Sequence, residues 1–372
     1  MKEDLFMEFI SEIKGLDWET AAKAKKRQDS LAKPPESLGK LESISIQMAG
    51  ITGKVINRIE KGCVVIMSSD NGVVKEGVSS APQSVTKAQT INFTRQVTGV
   101  GALAKTFNRR LLIVDVGING YLPEELVSRH MEDFENNKII NRKIAMGTEN
   151  IAVMPAMTRE EALKAISVGI ESAKMLKSKG YDIIGVGEMG IGNTTTSAAV
   201  LSGITACPVE ISVGRGGGIT DKSLYRKREI VQKTGLERSY ADLTDILRST
   251  GGFDICAMTG VFLGAAHERI PVIIDGYISA VAALVAYKFC PKAKDFFFGS
   301  HASEEKGYGF AMKAMDMQHM LDLNMRLGEG SGCIPAMEII VAALGVMEHM
   351  ATFEEARIDD EYLEEIRRGG CF

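Results

Sequence analysis

The sequence predicts an α/β protein built on a mainly parallel, doubly wound sheet, and three observations carry that expectation. Short apolar, β-branched runs recur as "CVVIMS" at 63, "LLIVDVG" at 111, "DIIGVG" at 182, "PVIID" at 271 and "DFFFGS" at 295, each the length of a buried strand. Helical patterns lie between them, and strands that alternate with helices pair in parallel through crossovers. Glycine-rich loops follow several of the runs, at the strand ends where open α/β sheets bind ligands.

The elements follow in order. Residues 1–50 show helical periodicity and few strand signals, as do residues 308–372, so the two ends are expected to pack together as a small helical domain. Residues 51–307 carry all five strand-like runs and form the expected large α/β domain. The stretch "TREEALKAISVGIESAKMLKSKG" from 158 is a helix whose Thr158 caps the start, with Glu161 at the capping-box position.

Composition narrows the function. With 44 basic and 48 acidic residues mixed along 372 positions, the formal net charge is −4 and no basic stripe awaits a nucleic acid. The cysteines at 63, 207, 256, 290, 333 and 371 form no C-x-x-C pair and suit a reducing compartment. The start, "MKEDLFMEFISEIKGLDWET", lacks the basic and apolar regions of a signal peptide, and no run reaches the length of a membrane helix. A soluble cytoplasmic protein is expected, without a membrane partner.

Three loops could carry chemistry. In "IIGVGEMGIGNTTTSAAV", residues 183–200, Gly185, Gly187 and Gly190 spell the dinucleotide pattern G-x-G-x-x-G. Glu188 would then face a pyrophosphate, and the helix is delayed until about Thr194, so a dinucleotide is disfavoured; Asn193 stands where a P-loop needs lysine. Two readings remain for this helix start: ordinary capping by Asn193 and Thr194, or a single phosphate or a sugar bound there with Glu188 near the reacting centre.

The second loop, "VGRGGGITDKSLYRKR" at 213–228, can converge its amides as an anion nest ahead of Lys222, Arg226, Lys227 and Arg228, most of which are expected on a solvated helix face. The third, "FGSHASEEKGYG" from 298, offers His301, for which a structural hydrogen bond is expected, since no nucleophile elbow or metal-ligand spacing accompanies it. No metal or cofactor is expected. One further stretch, "LGEGSGCIPA" at 327–336, sets Glu329 between two glycines ahead of an apolar helix, an arrangement that presents the acid to a ligand.

Taken together, "KPPESLGKLE" at 33, "DNGVVKEGVSSAPQSVT" at 70, "GVGEMGIGNTT" at 185, "GGFDICAMTGVFLGAA" at 251 and "MRLGEGSG" at 325 resemble one family, the nicotinate-nucleotide:dimethylbenzimidazole phosphoribosyltransferases of cobamide lower-ligand synthesis. The resemblance implies a Rossmann-like sheet with a small helical domain from both chain ends. It also implies a homodimer, or a heterodimer with a related subunit. Its substrates would be nicotinate mononucleotide and an aromatic base: a benzimidazole, a purine or a phenol.

The resemblance makes Glu329 the general base and Glu188 a second carboxylate near the sugar. Ala81, Gln89, Met189 and Leu327 would border the base pocket, while Gly190, Gly216, Gly217, Lys227 and Ser303 would serve the nucleotide. Asn71 stands where the family usually has histidine, and Ala81 where it has a hydroxyl. The competing expectations are an NAD-dependent oxidoreductase built on Gly185, Gly187 and Gly190, and a non-catalytic nucleotide-binding subunit.

Overall fold

The computed structural model describes residues 1–363. Eight strands form one parallel sheet: β1 Gly62–Ser69, β2 Arg110–Gly117, β3 Val127–Ser128, β4 Ile139–Asn141, β5 Ile183–Met189, β6 Val272–Ile274, β7 Phe297–His301 and β8 His319–Leu321. Their order across the sheet is β3-β4-β2-β1-β5-β6-β7-β8. The chain starts in the middle, builds outward on one side through β2, then returns to place β5 on the other flank of β1. The connections therefore part in opposite directions between β1 and β5, which opens a crevice beyond their carboxyl ends.

All five runs read from the sequence are strands. Every residue of β1 and of β5 is buried, as expected for parallel strands covered by helices on both faces, which need continuous apolar runs where a half-exposed strand would alternate. The sequence pattern did not reveal β3, β4 and β8, which have two or three residues each and are too short to show a period. The helix Arg159–Ser178 begins with the expected capping box: the Thr158 side chain accepts from the Glu161 amide, and the Glu161 carboxylate accepts from the Thr158 amide.

The chain ends meet. Arg27 Nε donates to the Met347 carbonyl at 2.9 Å, the Ala32 amide to the Ala351 carbonyl at 2.9 Å, and Ala24, Ala49 and Met347 share a small buried cluster. The carboxyl-terminal part is not wholly helical, because β8 lies within it as an edge of the main sheet. Its long helix, Cys333–His349, reaches the sheet as well, where Glu338 pairs with Arg109 at 2.8 Å. Sheet packing at its start and end-to-end packing at its finish make this helix a strut between the two chain ends and the crevice.

Candidate active site

The crevice holds a cavity of about 310 Å³, within the range of small-molecule sites. Glu188 and Met189 reach it from β5, and Gly190, Asn193 and Thr194 from the turn and the start of helix Asn193–Thr205. Gly216 and Gly217 close one side with Ser303, while Ala81, Gln89, Leu327 and Glu329 close the other. Twelve of the thirteen residues singled out from the sequence thus line one cavity. Lys227 is the exception: it stands behind the wall, 1% exposed, with Nζ donating to Thr194 Oγ1 at 2.8 Å and to the Gly214 carbonyl at 3.2 Å.

The helix starts at Asn193, one residue before the expected place, and Gly192 at φ +93° is its cap. Asn193 does not cap. Its Nδ2 donates to Glu188 Oε2 and, at 3.2 Å, to Asp254 Oδ2, so one amide stands between two buried carboxylates. Burial and the charge of Asp254 push Glu188 up to about 8, so it holds its proton at neutral pH. Burial likewise raises Asp254 to about 6 and Asp275 to about 7, the latter helped by the charge of Glu329.

Glu329 is 5% exposed. Its Oε1 accepts from Gln89 Nε2 at 2.7 Å and its Oε2 from the Val100 amide at 3.4 Å, at the start of helix Gly99–Thr106, where the helix dipole favours an anion. Residues 328–330 all have positive φ, +84°, +64° and +80°. Glycine adopts this conformation freely, but Glu329 does so at a cost of about 1–2 kcal/mol, and such strain persists only where the surroundings hold it. The loop is held from below by β5: a Cβ on Gly187 would lie 2.3 Å from the Gly330 nitrogen, and one on Gly185 would lie 2.5 Å from Cys333 Cβ.

Gly185 and Gly187 are therefore strand residues, not a turn around a pyrophosphate. They are small so that the loop bearing Glu329 can rest on the sheet. A three-glycine pattern cannot distinguish these uses, because it records missing side chains without saying what fills the space.

Sequence reasoning missed Asp254 and Asp275 and gave His301 only a structural part. His301 has one such part, with Nδ1 2.9 Å from Ser300 Oγ, but it also lines the cavity, and burial lowers its pKa. Asp275 closes "PVIID", and an acid directly after a buried strand in an α/β sheet was the signal available for it. Arg215 and Arg326 add two arginines to the lining. Of the other basic residues after the glycine nest, Lys222 is exposed as expected of a solvated face, whereas Arg226 is half-buried and pairs with Glu76 and Arg228 is half-buried with its Nε shielded from solvent.

The titration of Glu188 yields a stability prediction. Its folded pKa, about 8, lies above the ordinary 4.5, so between those values the folded chain keeps a proton that the unfolded chain has released. This contribution is complete below about pH 4.5 and is lost as pH rises through 8. In Glu188→Gln the loss is absent, so the melting temperature of the mutant relative to the parent should climb by a few degrees, on the order of 3 °C, between pH 5 and 8.5. Scanning calorimetry across that range checks it, and parallel curves would mean that Glu188 is already ionised.

A doubly wound sheet with a ligand-sized, carboxylate-rich cavity over its switch point is the frame of an α/β enzyme with a small-molecule substrate. The chain belongs to the phosphoribosyltransferase family, whose model it matches over residues 13–358. It is 53% identical over 367 residues to a Clostridium perfringens protein named nicotinate-nucleotide--dimethylbenzimidazole phosphoribosyltransferase, with 98% of each chain covered. The protein of that name from Clostridium tetani is 46% identical over 366 residues, again with 98% of each chain covered. The crystal structure of CobT from Thermus thermophilus superimposes with a TM-score of 0.86 at 35% identity, covering 92% of this chain and 99% of that one. These likenesses give no support to an NAD-dependent oxidoreductase.

Proposed function

We propose that this enzyme moves the 5-phosphoribosyl group of nicotinate mononucleotide to a benzimidazole-type base, giving α-ribazole 5′-phosphate and nicotinate in the assembly of a cobamide nucleotide loop. The observation that carries the reading is Glu329: a buried carboxylate on a strained loop, held at the cavity wall by Gln89 and the Val100 amide. One azole nitrogen attacks the anomeric carbon while the other gives its proton to Glu329. The bond from the ribose to the pyridinium nitrogen breaks, and nicotinate leaves with the electron pair, neutral at that nitrogen, so no acid is needed there.

Glu188, protonated at neutral pH, has a hydroxyl to offer the ribose, and the acids around it suit the positive charge of the donor and of its transition state. The phosphate fits the side made by Thr194, Gly216, Gly217 and Ser303. Ala81, Gln89, Met189 and Leu327 border the incoming base. The reading includes a cytoplasmic homodimer, or a pair with a related subunit, and a small unit of residues 1–50 and 308–372 working against the large one. Incubation with nicotinate mononucleotide and a panel of benzimidazoles, purines and phenols, followed by nicotinate release, tests the reaction; no release with any base would refute it.

Lys227 enters through Thr194. By donating to Thr194 Oγ1 it leaves the threonine proton free to point at a phosphate, and burial, which lowers its pKa to about 8, leaves it mostly charged at neutral pH. Lys227→Met keeps most of the volume and removes a desolvated charge, so the melting temperature should not fall. The donor KM should rise roughly tenfold, the scale of one charge-assisted hydrogen bond, with the KM for the base near parental. Steady-state kinetics in both substrates check the split.

A further inference from the structure

Asp275 directly follows β6 and is 2% exposed. Its two carboxylate oxygens are spent on one short segment: Oδ2 accepts from the Gly330 amide at 3.0 Å and Oδ1 from the Gly332 amide at 2.7 Å. Those amides lie one and three residues beyond Glu329. Asp275 is itself fixed from two sides, since its amide donates to Ser279 Oγ at 3.1 Å and its carbonyl accepts from Ser300 Oγ at 3.1 Å. The segment fits around it closely, because a Cβ on Gly332 would stand 2.0 Å from His301 Nδ1 and 2.9 Å from Asp275 Oδ1.

We propose that Asp275 is a positioning residue that sets the direction of the Glu329 carboxylate by clamping the amides on its carboxyl-terminal side, an inference that rests on Glu329 being the base of the transferase reaction. The backbone at Glu329 is left-handed, so it does not hold its own direction. Gln89 and Val100 hold the carboxylate tip, and the Asp275 clamp holds the root. A base that must meet an azole proton within hydrogen-bond reach loses rate steeply when its root shifts by a fraction of an ångström, whereas substrates bound by the rest of the cavity lose little affinity.

The test is a double-mutant cycle on turnover. Asp275→Asn keeps one acceptor and turns an amide NH2, which can only donate, toward the other backbone N–H, opening the clamp at nearly constant volume. The single mutant should lose roughly 10- to 100-fold in kcat, with both KM values within about twofold of the parent. In a Glu329→Gln background the same change should alter kcat by less than about twofold, because a misdirected base matters only while there is a base. Equal loss in both backgrounds, or loss in KM alone, would overturn the proposal. Should the asparagine variant fail to fold, Asp275→Glu, which keeps the charge but displaces it by one methylene, must show the same dependence on Glu329. Failure of the transferase reading itself appears separately, as an unmutated protein that releases no nicotinate.

Discussion

Glu329→Gln should fold and bind nicotinate mononucleotide as the parent does while turning over roughly 10²- to 10⁴-fold more slowly, the usual share of general-base catalysis. The amide matches the carboxylate in size, but it cannot take the azole proton. Its nitrogen cannot accept, so either the Gln89 amide turns over to receive it, at the expense of the contact from Asn92 Nδ2, or one of the bonds from Gln89 Nε2 and the Val100 amide is given up at a buried site. That costs stability on the order of 1 kcal/mol, small beside the kinetic loss. A purely structural Glu329 gives the opposite pattern, with melting temperature or binding falling before chemistry. Single-turnover rates and thermal melts of the two proteins separate these outcomes, and rescue of the mutant at high pH would fit solvent base replacing the carboxylate.

The sheet was legible because burial on both faces forces long apolar runs on its central strands, and β1 and β5 carry them without interruption. The edge strands β3, β4 and β8 were not, because pairing with a neighbour defines them and two or three residues carry no periodicity of their own. The meeting of the ends was legible only as a composition, helical at both. The contacts that join them, Arg27 to Met347 and Ala32 to Ala351, span more than 300 positions, and nothing local in the chain specifies them.

The site divides in the same way. Glu188, near the end of β5, and Asn193, at the start of the helix after it, stood out because the ends of parallel strands converge on one crevice, whereas Gly190 and Ser303 came from the family resemblance. Lys227 is one of four basic residues between 222 and 228, and only it is fully buried, a choice made by the helix face turned toward Thr194 and Gly214. Asp275 was passed over because its work is done on backbone amides 55 and 57 residues away, a partnership that leaves no pattern in the sequence. Asn71, one of the two departures expected from the resemblance, is fully buried and accepts from Thr196 Oγ1 at 3.5 Å through Oδ1. An amide there keeps a polar contact to the helix that carries Asn193.

Gly187→Ala should disrupt the site out of proportion to its single methyl. The added Cβ would lie 2.3 Å from the Gly330 nitrogen, 2.5 Å from Gly330 Cα and 2.6 Å from the Glu329 carbonyl carbon, all backbone atoms that cannot rotate away. Gly330 in turn lies against Val64 Cγ1, so the loop cannot yield toward β1. It must lift from the sheet, carrying Glu329 out of reach of Gln89 and Val100 and pulling Gly330 from Asp275. Overpacking of this kind typically costs 1–3 kcal/mol, about 2–4 °C or more in melting temperature, and displacement of the base should cut turnover by roughly 10²-fold or more. Gly345→Ala is the control: it lies in the helix Cys333–His349 with nothing within 4 Å of the new Cβ, so it should raise stability by about 0.5–1 kcal/mol and leave turnover parental. The dinucleotide interpretation of the same glycine makes a different forecast, a loss of nucleotide affinity with the chemistry intact. Donor KM and single-turnover rate measured on Gly187→Ala decide between them, and a mutant impaired only in donor binding would show that the glycine serves a phosphate and not the loop.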